Sequence, residues 1–239
     1  MLKSVVKRTI RHLGFDLQRY SPSTSEGARF MATLSAHNVN LVFDIGANIG
    51  QFGRLLRDLG YSGRIVSFEP VSAAWNQLAE TSRGDALWEV AARAAIGGED
   101  GEIEMHVAGN SVSSSALNML DAHVKAAPQS SYVRSERLPL RRLDTIGADF
   151  VRTDSILFLK IDTQGFEAQV LKGAPELLQR AVGLHMELSL IPLYEGQCIY
   201  DEMIGQLKAL GFELWGVMPG FTDPQNGRLL QVDATFFRN

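Results

Sequence analysis

Residues 41–53 restrict the possible folds of this chain more than any other stretch. Apolar residues lead into Asp44, glycines at positions 46 and 50 frame a turn, and apolar residues then recur at helical spacing. This order predicts a buried parallel strand, a tight loop and a helix, which together open a nucleotide-binding α/β sheet. The glycines let the backbone turn sharply and approach a ligand without a Cβ in the way.

The chemistry of this loop favours a ligand with a cationic head group. Its pattern is D-x-G-x-N-x-G, with Gly46, Asn48 and Gly50 after the acid, whereas dinucleotide-binding loops have G-x-G-x-x-G. A carboxylate at the end of a strand repels a pyrophosphate but attracts an amino group or a sulfonium. We therefore predict S-adenosylmethionine as the ligand, with a plain glycine turn as the alternative.

A second acid falls at the end of the next predicted strand. Residues 64–68 (R-I-V-S-F) are mostly apolar, and Glu69 follows them. Its distance from the first acid is close to the spacing of about 20 residues at which a carboxylate binds ribose hydroxyls. Pro70 then ends the strand and leaves Glu69 at its carboxyl edge. Two acids in register indicate a nucleoside site more strongly than either acid alone.

Further strands are predicted to end in acids at the same edge of the sheet. An apolar run from residue 156 ends in Asp162, and the run 182–188 has Glu187 near its end. Sheets of this kind bind ligands beyond the carboxyl ends of their strands, so these acids should lie near the first two. The remaining predicted strands cover residues 86–90, 212–217 and 233–237, of which the last two form an antiparallel hairpin at one edge.

The segment 101–141 is predicted to be an insertion. Alternating polar and apolar residues at 102–107 and a second run at 137–140 predict an antiparallel pair of strands. The polar loop and helix between them are of a type that commonly forms lids or substrate walls, and a solvated loop is the alternative. The expected organisation is an N-terminal helical extension over 1–38 and one α/β domain over 39–239.

The first 20 residues carry a positive charge that the rest of the chain opposes. They hold five basic residues and one acidic residue, although the whole chain has a formal charge of −4. Apolar residues recur between the charges at helical spacing, which predicts a helix packed on the domain. Contact with an anionic membrane surface or with a partner protein through residues 1–20 is the alternative.

Composition excludes several classes of protein. The chain is 45% hydrophobic and 21% charged, as in ordinary globular domains. Its single cysteine, Cys198, excludes an intrachain disulfide, and no apolar run approaches the roughly 18 residues of a membrane span. The net negative charge argues against nucleic acid as a partner. No apolar signal segment follows Met1, so we expect a cytoplasmic protein, with attachment to the inner face of a membrane as the alternative.

Taken together, several motifs resemble the FkbM family of S-adenosylmethionine-dependent methyltransferases over about residues 40–215. The most characteristic are F-D-I-G-A-N-I-G at 43–50, F-E-P at 68–70 and L-K-I-D-T-Q-G-F-E at 159–167. Many members of the family have Glu where this chain has Gln164. The resemblance implies a Rossmann-like class I methyltransferase fold, with a mostly parallel seven-stranded sheet, helices on both faces and an antiparallel edge hairpin.

The resemblance also implies a reaction and a cofactor site. Members of the family transfer a methyl group to an oxygen, typically of a sugar, a glycan or a polyketide-type small molecule, so a small-molecule or glycan acceptor is the expected partner. By the same resemblance, Glu69 binds the ribose hydroxyls of S-adenosylmethionine. The full set of predicted cofactor-binding residues is Asp44, Gly46, Asn48, Gly50, Glu69, Pro70 and Asp162.

The acids and histidines supply candidates for the base that a hydroxyl nucleophile needs. Asp162 is preferred because it follows a buried strand beside the expected cofactor, and Glu187 and His106 are further catalytic candidates. His185 could also act as a base, although a packed histidine is the simpler expectation. Lys160 is expected to lie on the opposite face of its strand. Asp162 and Glu187 could together hold a divalent cation, but no motif supports a metal site.

Two other functions stay open on the sequence alone. One is a non-catalytic cofactor-binding or docking protein, which only the basic N-terminal helix suggests. The other is a nicotinamide-dependent oxidoreductase, which the acid in place of the first glycine disfavours.

Overall fold

The computed structural model describes residues 8, 10–15 and 19–238. The helix predicted near the N-terminus falls mostly outside these residues, so its packing and any surface contact through residues 1–20 stay predictions. None of the described helices is long and apolar enough to cross a membrane.

The strands confirm the predicted sheet. Within the described residues, seven strands form the main sheet and all of its neighbours pair in parallel, except that β10 is antiparallel to both β8 and β9. The strands are β1 (Leu41–Ile45), β2 (Arg64–Phe68), β3 (Trp88–Val90), β4 (Ala95–Ile96), β5 (Gly101–Ala108), β6 (Tyr132–Arg141), β7 (Leu157–Ile161), β8 (Ala181–Ser189), β9 (Glu213–Pro219) and β10 (Gln231–Phe237). The spatial order is β3-β2-β1-β7-β8-β10-β9, with the predicted antiparallel pair at one edge.

Helices cover both faces of this sheet. Phe43 of β1 shares a core cluster with Leu171 and Leu177 on one face, whereas Val42 shares a cluster with Leu34 and Leu56 on the other. Strand side chains alternate between faces, so an apolar run buried on both faces is the expected result. The helices of the described residues are α1 (Glu26–Ala36), α2 (Gln51–Asp58), α3 (Ser72–Ser82), α4 (Asp121–Ala126), α5 (Leu143–Gly147), α6 (Glu167–Lys172), α7 (Pro175–Arg180) and α8 (Tyr200–Ala209), with 3₁₀ turns at Pro128–Ser130 and Ala148–Phe150.

A small second sheet lies beside the main one. Strands β5 and β6 pair antiparallel, as predicted for this segment, and β4 adds to β6 in parallel. Met105 and Leu138 of this sheet share a core cluster with Val71 and Ala74 near the start of α3. The second sheet is thereby held against the carboxyl end of β2.

Two polar rows cross the face of the main sheet that α1 and α2 cover. Residues paired across neighbouring strands point to the same face, as do residues two apart on one strand. The pairing of β1, β7, β8 and β10 therefore forms one row from Asp44, Lys160, His185 and Thr235. Two residues away on each strand, a second row consists of Asp162, Glu187 and Asp233.

Helix α1 packs into the core of the main sheet. Its Leu34 is 1% exposed and belongs to the cluster that contains Phe158 and Phe237. Its start is capped by Ser25, whose hydroxyl accepts a hydrogen bond from the amide of Ala28 at 3.3 Å. The chain before β1 therefore contributes directly to the core.

We expect Leu34→Ala to lower the free energy of unfolding by about 2–5 kcal/mol, because it opens a cavity in this core. Leu87→Ala is the matched control, since Leu87 is 46% exposed. The measurement is urea denaturation followed by circular dichroism. Equal midpoints for Leu34→Ala and the wild type would show that α1 is not part of the cooperative unit.

Candidate active site

A cavity of about 530 Å³ opens at the carboxyl ends of β1, β2, β7 and β8. Its walls include the loop segments 46–48, 69–71 and 162–164, which follow three of these strands. Met105 of the second sheet and Phe30 of α1 line it from other sides. Cavities of about 300–1,000 Å³ are typical of small-molecule sites. The loops predicted from sequence therefore meet at one ligand-sized cavity.

Glu69 connects two of these loops. Its side chain is almost fully buried, at 4% exposure, yet it lines the cavity together with Pro70. Its Oε2 accepts the amide N–H of Asn48 and its Oε1 accepts that of Val71, both at 2.8 Å. Burial raises the pKa of Glu69 to about 7, against the lowering effect of these two hydrogen bonds.

The loop after β1 requires glycine at two positions, for different reasons. Gly46 has φ +79°, and a Cβ there would lie 1.8 Å from the carbonyl oxygen of Asp162. Gly50 has φ +90° at the start of α2, where a Cβ would press on Leu78, Thr81 and Trp88. Gly46 and Asn48 line the cavity and Gly50 does not. Gly50 thus serves the packing of α2.

Lys160 lies in the site, so the prediction that it points to the opposite face is wrong. Lys160 and Asp162 are two residues apart on one strand, and such side chains share a face. The Lys160 ammonium donates to the Gly46 carbonyl at 3.0 Å and lies 3.1 Å from Asp44 Oδ1 and 3.5 Å from Asp162 Oδ2. Burial lowers the pKa of Lys160, but the carboxylates of Asp44 and Asp162 outweigh this and raise it, so Lys160 stays charged.

Asp44 is placed behind Lys160. It is 0% exposed and is not among the residues that line the cavity. Ser67 donates a hydroxyl to its Oδ2 at 3.4 Å, and Oδ1 has the Lys160 ammonium at 3.1 Å without a well-oriented hydrogen bond. The role of Asp44 is therefore to hold Lys160, through which it acts on the cavity.

Gln164 holds two acids together. Its side-chain Nε2 donates to Asp162 Oδ1 at 2.7 Å and to Glu187 Oε2 at 2.8 Å, while its Oε1 accepts the Tyr194 hydroxyl at 2.7 Å. Burial, together with the charges of Asp162 and Asp233, raises the pKa of Glu187 well above its usual value. Within the described residues, no three His, Cys, Asp or Glu side chains are arranged to hold a metal ion together.

The two candidate histidines are in different places. His106 stacks on Tyr132 at 5.0 Å and lies 3.2 Å from the Ser135 hydroxyl in the second sheet, and it does not line the cavity. His185 is 7% exposed and lines the cavity. Burial lowers the pKa of His185 to about 4, and the nearby Lys160 ammonium adds to this effect.

The fold and the cavity together define a Rossmann-like methyltransferase. The features that point to this class are the strand order, the antiparallel β10 between β8 and β9, and the buried acid at the end of β2. The chain belongs to the FkbM family of methyltransferases, because the family model of the methyltransferase FkbM domain matches residues 44–214, more than half of the 239 residues. No curated protein matches the chain.

Several solved structures are similar to the chain at low identity. TehB from Haemophilus influenzae is 10% identical with a TM-score of 0.47, over 88% of this chain and 62% of TehB. Magnesium protoporphyrin IX methyltransferase from Synechocystis PCC 6803, solved with bound SAM, is 10% identical with a TM-score of 0.47, over 89% and 78%. An S-adenosylmethionine dependent methyltransferase from Mesorhizobium loti is 12% identical with a TM-score of 0.44, over 89% and 99%.

Sequence reasoning missed parts of the cavity for identifiable reasons. The two-residue period of a strand predicts that Lys160 shares a face with Asp162. Asp233 and His185 come together through the register of β10 on β8, which no local pattern encodes. Phe30 of α1 had a helical pattern but no signal that it reaches the cavity.

We expect Lys160→Met to lower the free energy of unfolding by about 3–5 kcal/mol, because it leaves the Asp44 carboxylate buried without a counter-charge. Adding Asp44→Asn to that variant should restore part of the loss. The measurement is urea denaturation of both variants, with Lys172→Met, an exposed lysine on α6, as the control. A double variant no more stable than Lys160→Met would contradict the coupling of these two residues.

Proposed function

We propose that this methyltransferase uses S-adenosylmethionine and methylates a hydroxyl oxygen of a sugar, a glycan or a secondary metabolite. The observation that carries the proposal is Glu69, a buried carboxylate that faces a ligand-sized cavity at the end of β2. An acid at this strand end is suited to the two hydroxyls of a ribose. Membership of the FkbM family supports methyl transfer as the reaction.

Glu69 has unused capacity for such a ligand. An ionised carboxylate offers about four acceptor sites on its two oxygens. Each oxygen of Glu69 accepts one backbone N–H, from Asn48 or Val71. The remaining sites suit two adjacent hydroxyl donors, which would stabilise the ionised form that burial disfavours. The donor set therefore fits a nucleoside.

Asp162 suits the cationic end of the same cofactor. It lines the cavity, and its two oxygens already face Gln164 Nε2 and the Lys160 ammonium. A carboxylate held in place by fixed donors is well suited to binding an amino group. We therefore assign Asp162 to cofactor binding, whereas the sequence interpretation preferred it as the base.

The bound cofactor would supply an electrophilic methyl group on a sulfonium, and the protein supplies position and exclusion of water. Met105 and Val112 reach the cavity from β5 and the loop after it, and Phe166 reaches it from the loop before α6. Apolar side chains around a charged ligand strengthen its electrostatic contacts because they lower the local dielectric constant.

The affinity for S-adenosylhomocysteine should rise as the pH increases through about 7. Ribose hydroxyls donate to the ionised form of Glu69, whose folded pKa is raised to about 7 by burial. Isothermal calorimetry between pH 6 and 8.5 measures the effect. Glu69→Gln should bind more weakly and lose this part of the pH dependence. An unchanged pH dependence in Glu69→Gln would remove Glu69 from the cofactor site.

The proposed reaction is tested with labelled S-adenosylmethionine and a panel of hydroxyl-bearing sugars and metabolites. We expect label in the product as an ether, and Asp162→Asn should weaken cofactor binding by roughly 10-fold or more, since a charged hydrogen bond contributes about 1.5–3 kcal/mol. The control is Asp201→Asn, because Asp201 is exposed on α8. Tight NAD binding without S-adenosylmethionine binding would instead favour the oxidoreductase alternative.

A further inference from the structure

The cavity continues beyond the residues assigned to the cofactor, between α1, α2 and the strands β8 and β10. Phe30 of α1 and Phe52 of α2 line this end together with His185 and Asp233. The His185 ring lies 5.2 Å from Phe30 and 6.0 Å from Phe52, stacked on the latter. We call these four residues the α1 subsite. It has apolar walls and a polar base, and the cofactor assignment makes no use of it.

His185 presents a bare ring nitrogen in the α1 subsite. Its Nδ1 lies 2.8 Å from the Thr235 hydroxyl. Its Nε2 lies 3.9 Å from Asp233 Oδ1, which is too far for a direct hydrogen bond. In the tautomer that carries its proton on Nδ1, the Thr235 hydroxyl accepts that proton and Nε2 is left bare. Neutral imidazole with a free nitrogen is the form that can accept a proton.

The two acceptors in the α1 subsite are spaced for two adjacent donors. His185 and Asp233 both line the cavity, where His185 Nε2 lies 3.9 Å from Asp233 Oδ1 and neither atom has a hydrogen-bond partner among the described residues. One hydroxyl has a single proton and cannot donate to both atoms. A vicinal diol carries two hydroxyls on neighbouring carbons and can donate one proton to each. The phenylalanine walls suit the apolar face of a ring that carries such a diol.

We propose that the α1 subsite binds the acceptor as a vicinal diol, that His185 is the catalytic base for the methylated hydroxyl, and that Asp233 binds the neighbouring hydroxyl. This inference rests on the proposed function. Asp233 lies in the same row as Glu187 and Asp162, so the diol is placed beside the end of the cofactor assigned to Asp162.

The step balances without a further reactant. The acceptor oxygen forms a bond to the methyl carbon, the carbon–sulfur bond breaks, and its electron pair stays on sulfur as a neutral thioether. The hydroxyl proton moves to His185 Nε2 and gives an imidazolium. Burial and the Lys160 ammonium disfavour this charge, whereas the Asp162 carboxylate and the Asp233 carboxylate beside Nε2 stabilise it. Asp233 is 36% exposed in its side chain, so the proton has a route to water.

The experiment uses the full-length protein and 4-nitrophenyl hexopyranosides of the gluco, galacto and manno series. Each glycoside is compared with its 2-, 3- and 4-deoxy derivatives, with labelled S-adenosylmethionine as the methyl donor. Recognition of a vicinal diol predicts that turnover is lost on removal of the methylated hydroxyl and also on removal of one neighbour. Loss on removal of the methylated hydroxyl alone would overturn the diol assignment.

The variants test the two residues separately. His185→Gln should lower kcat by about 10²–10⁴, the usual contribution of a positioned base, with unchanged affinity for S-adenosylmethionine. Asp233→Asn should raise KM for the diol about tenfold. This variant should also no longer distinguish the diol from the derivative that lacks the hydroxyl next to the methylated one. His37→Gln is the matched control, because His37 packs on Phe237 and Trp215 outside the cavity.

The outcomes also separate this inference from the proposed function. Normal kcat in a folded His185→Gln would overturn the assignment of the base. If His185→Gln loses cooperative unfolding, Asp233→Asn decides alone, and unchanged discrimination in that variant overturns the inference. Cofactor binding without transfer to any of these diols overturns the inference and leaves the cofactor pocket standing. If the wild-type protein does not bind S-adenosylmethionine, the proposed function itself is overturned.

Discussion

The buried ammonium of Lys160 is the charge on which the rest of the site depends. It joins β1, the loop after β1 and the end of β7, through Asp44, the Gly46 carbonyl and Asp162. A fully buried carboxylate such as Asp44 is costly in a low-dielectric interior unless a cation lies beside it. The Phe52 ring, 5.6 Å from the same ammonium, completes its enclosure. The position of the loop that faces the ligand therefore follows from one ion-pair network.

Around this cation, three of the acids that line the cavity have pKa values that burial raises: Glu69, Glu187 and Asp233. The pKa values of Glu69 and Glu187 are raised by burial, and burial with the charge of Asp162 raises that of Asp233 to about 6. Such groups gain most from ligands that carry a positive charge or donate hydrogen bonds. A sulfonium cofactor with an amino group and a hydroxylated acceptor meet both conditions, which connects the electrostatics of the cavity to the proposed chemistry.

The sequence by itself determined which segments form the strands of the main sheet. Buried strands, glycine turns and strand-end acids are local patterns, since burial on both faces removes polar residues from a strand and positive φ favours glycine. The prediction of Glu69 at the end of β2 and of Asp162 at the end of β7 rests on such patterns, and both residues line the cavity. The first strand of the inserted segment was also readable from its alternation of polar and apolar residues, and the edge strands were predicted as an antiparallel pair.

Only the tertiary structure decided which of these residues line the cavity. Lys160 stands between Asp44 and the cavity, and Gly50 faces α3 and β3 instead of a ligand. His106 lies on β5, in the second sheet. The antiparallel register of β10 on β8 places His185 beside Thr235, and Asp233 is two residues from Thr235 along β10. These placements depend on contacts between distant segments, where a shift of one residue turns every side chain to the other face. Apart from the face of the strand on which Lys160 lies, which the two-residue period gives, no local pattern carries that information.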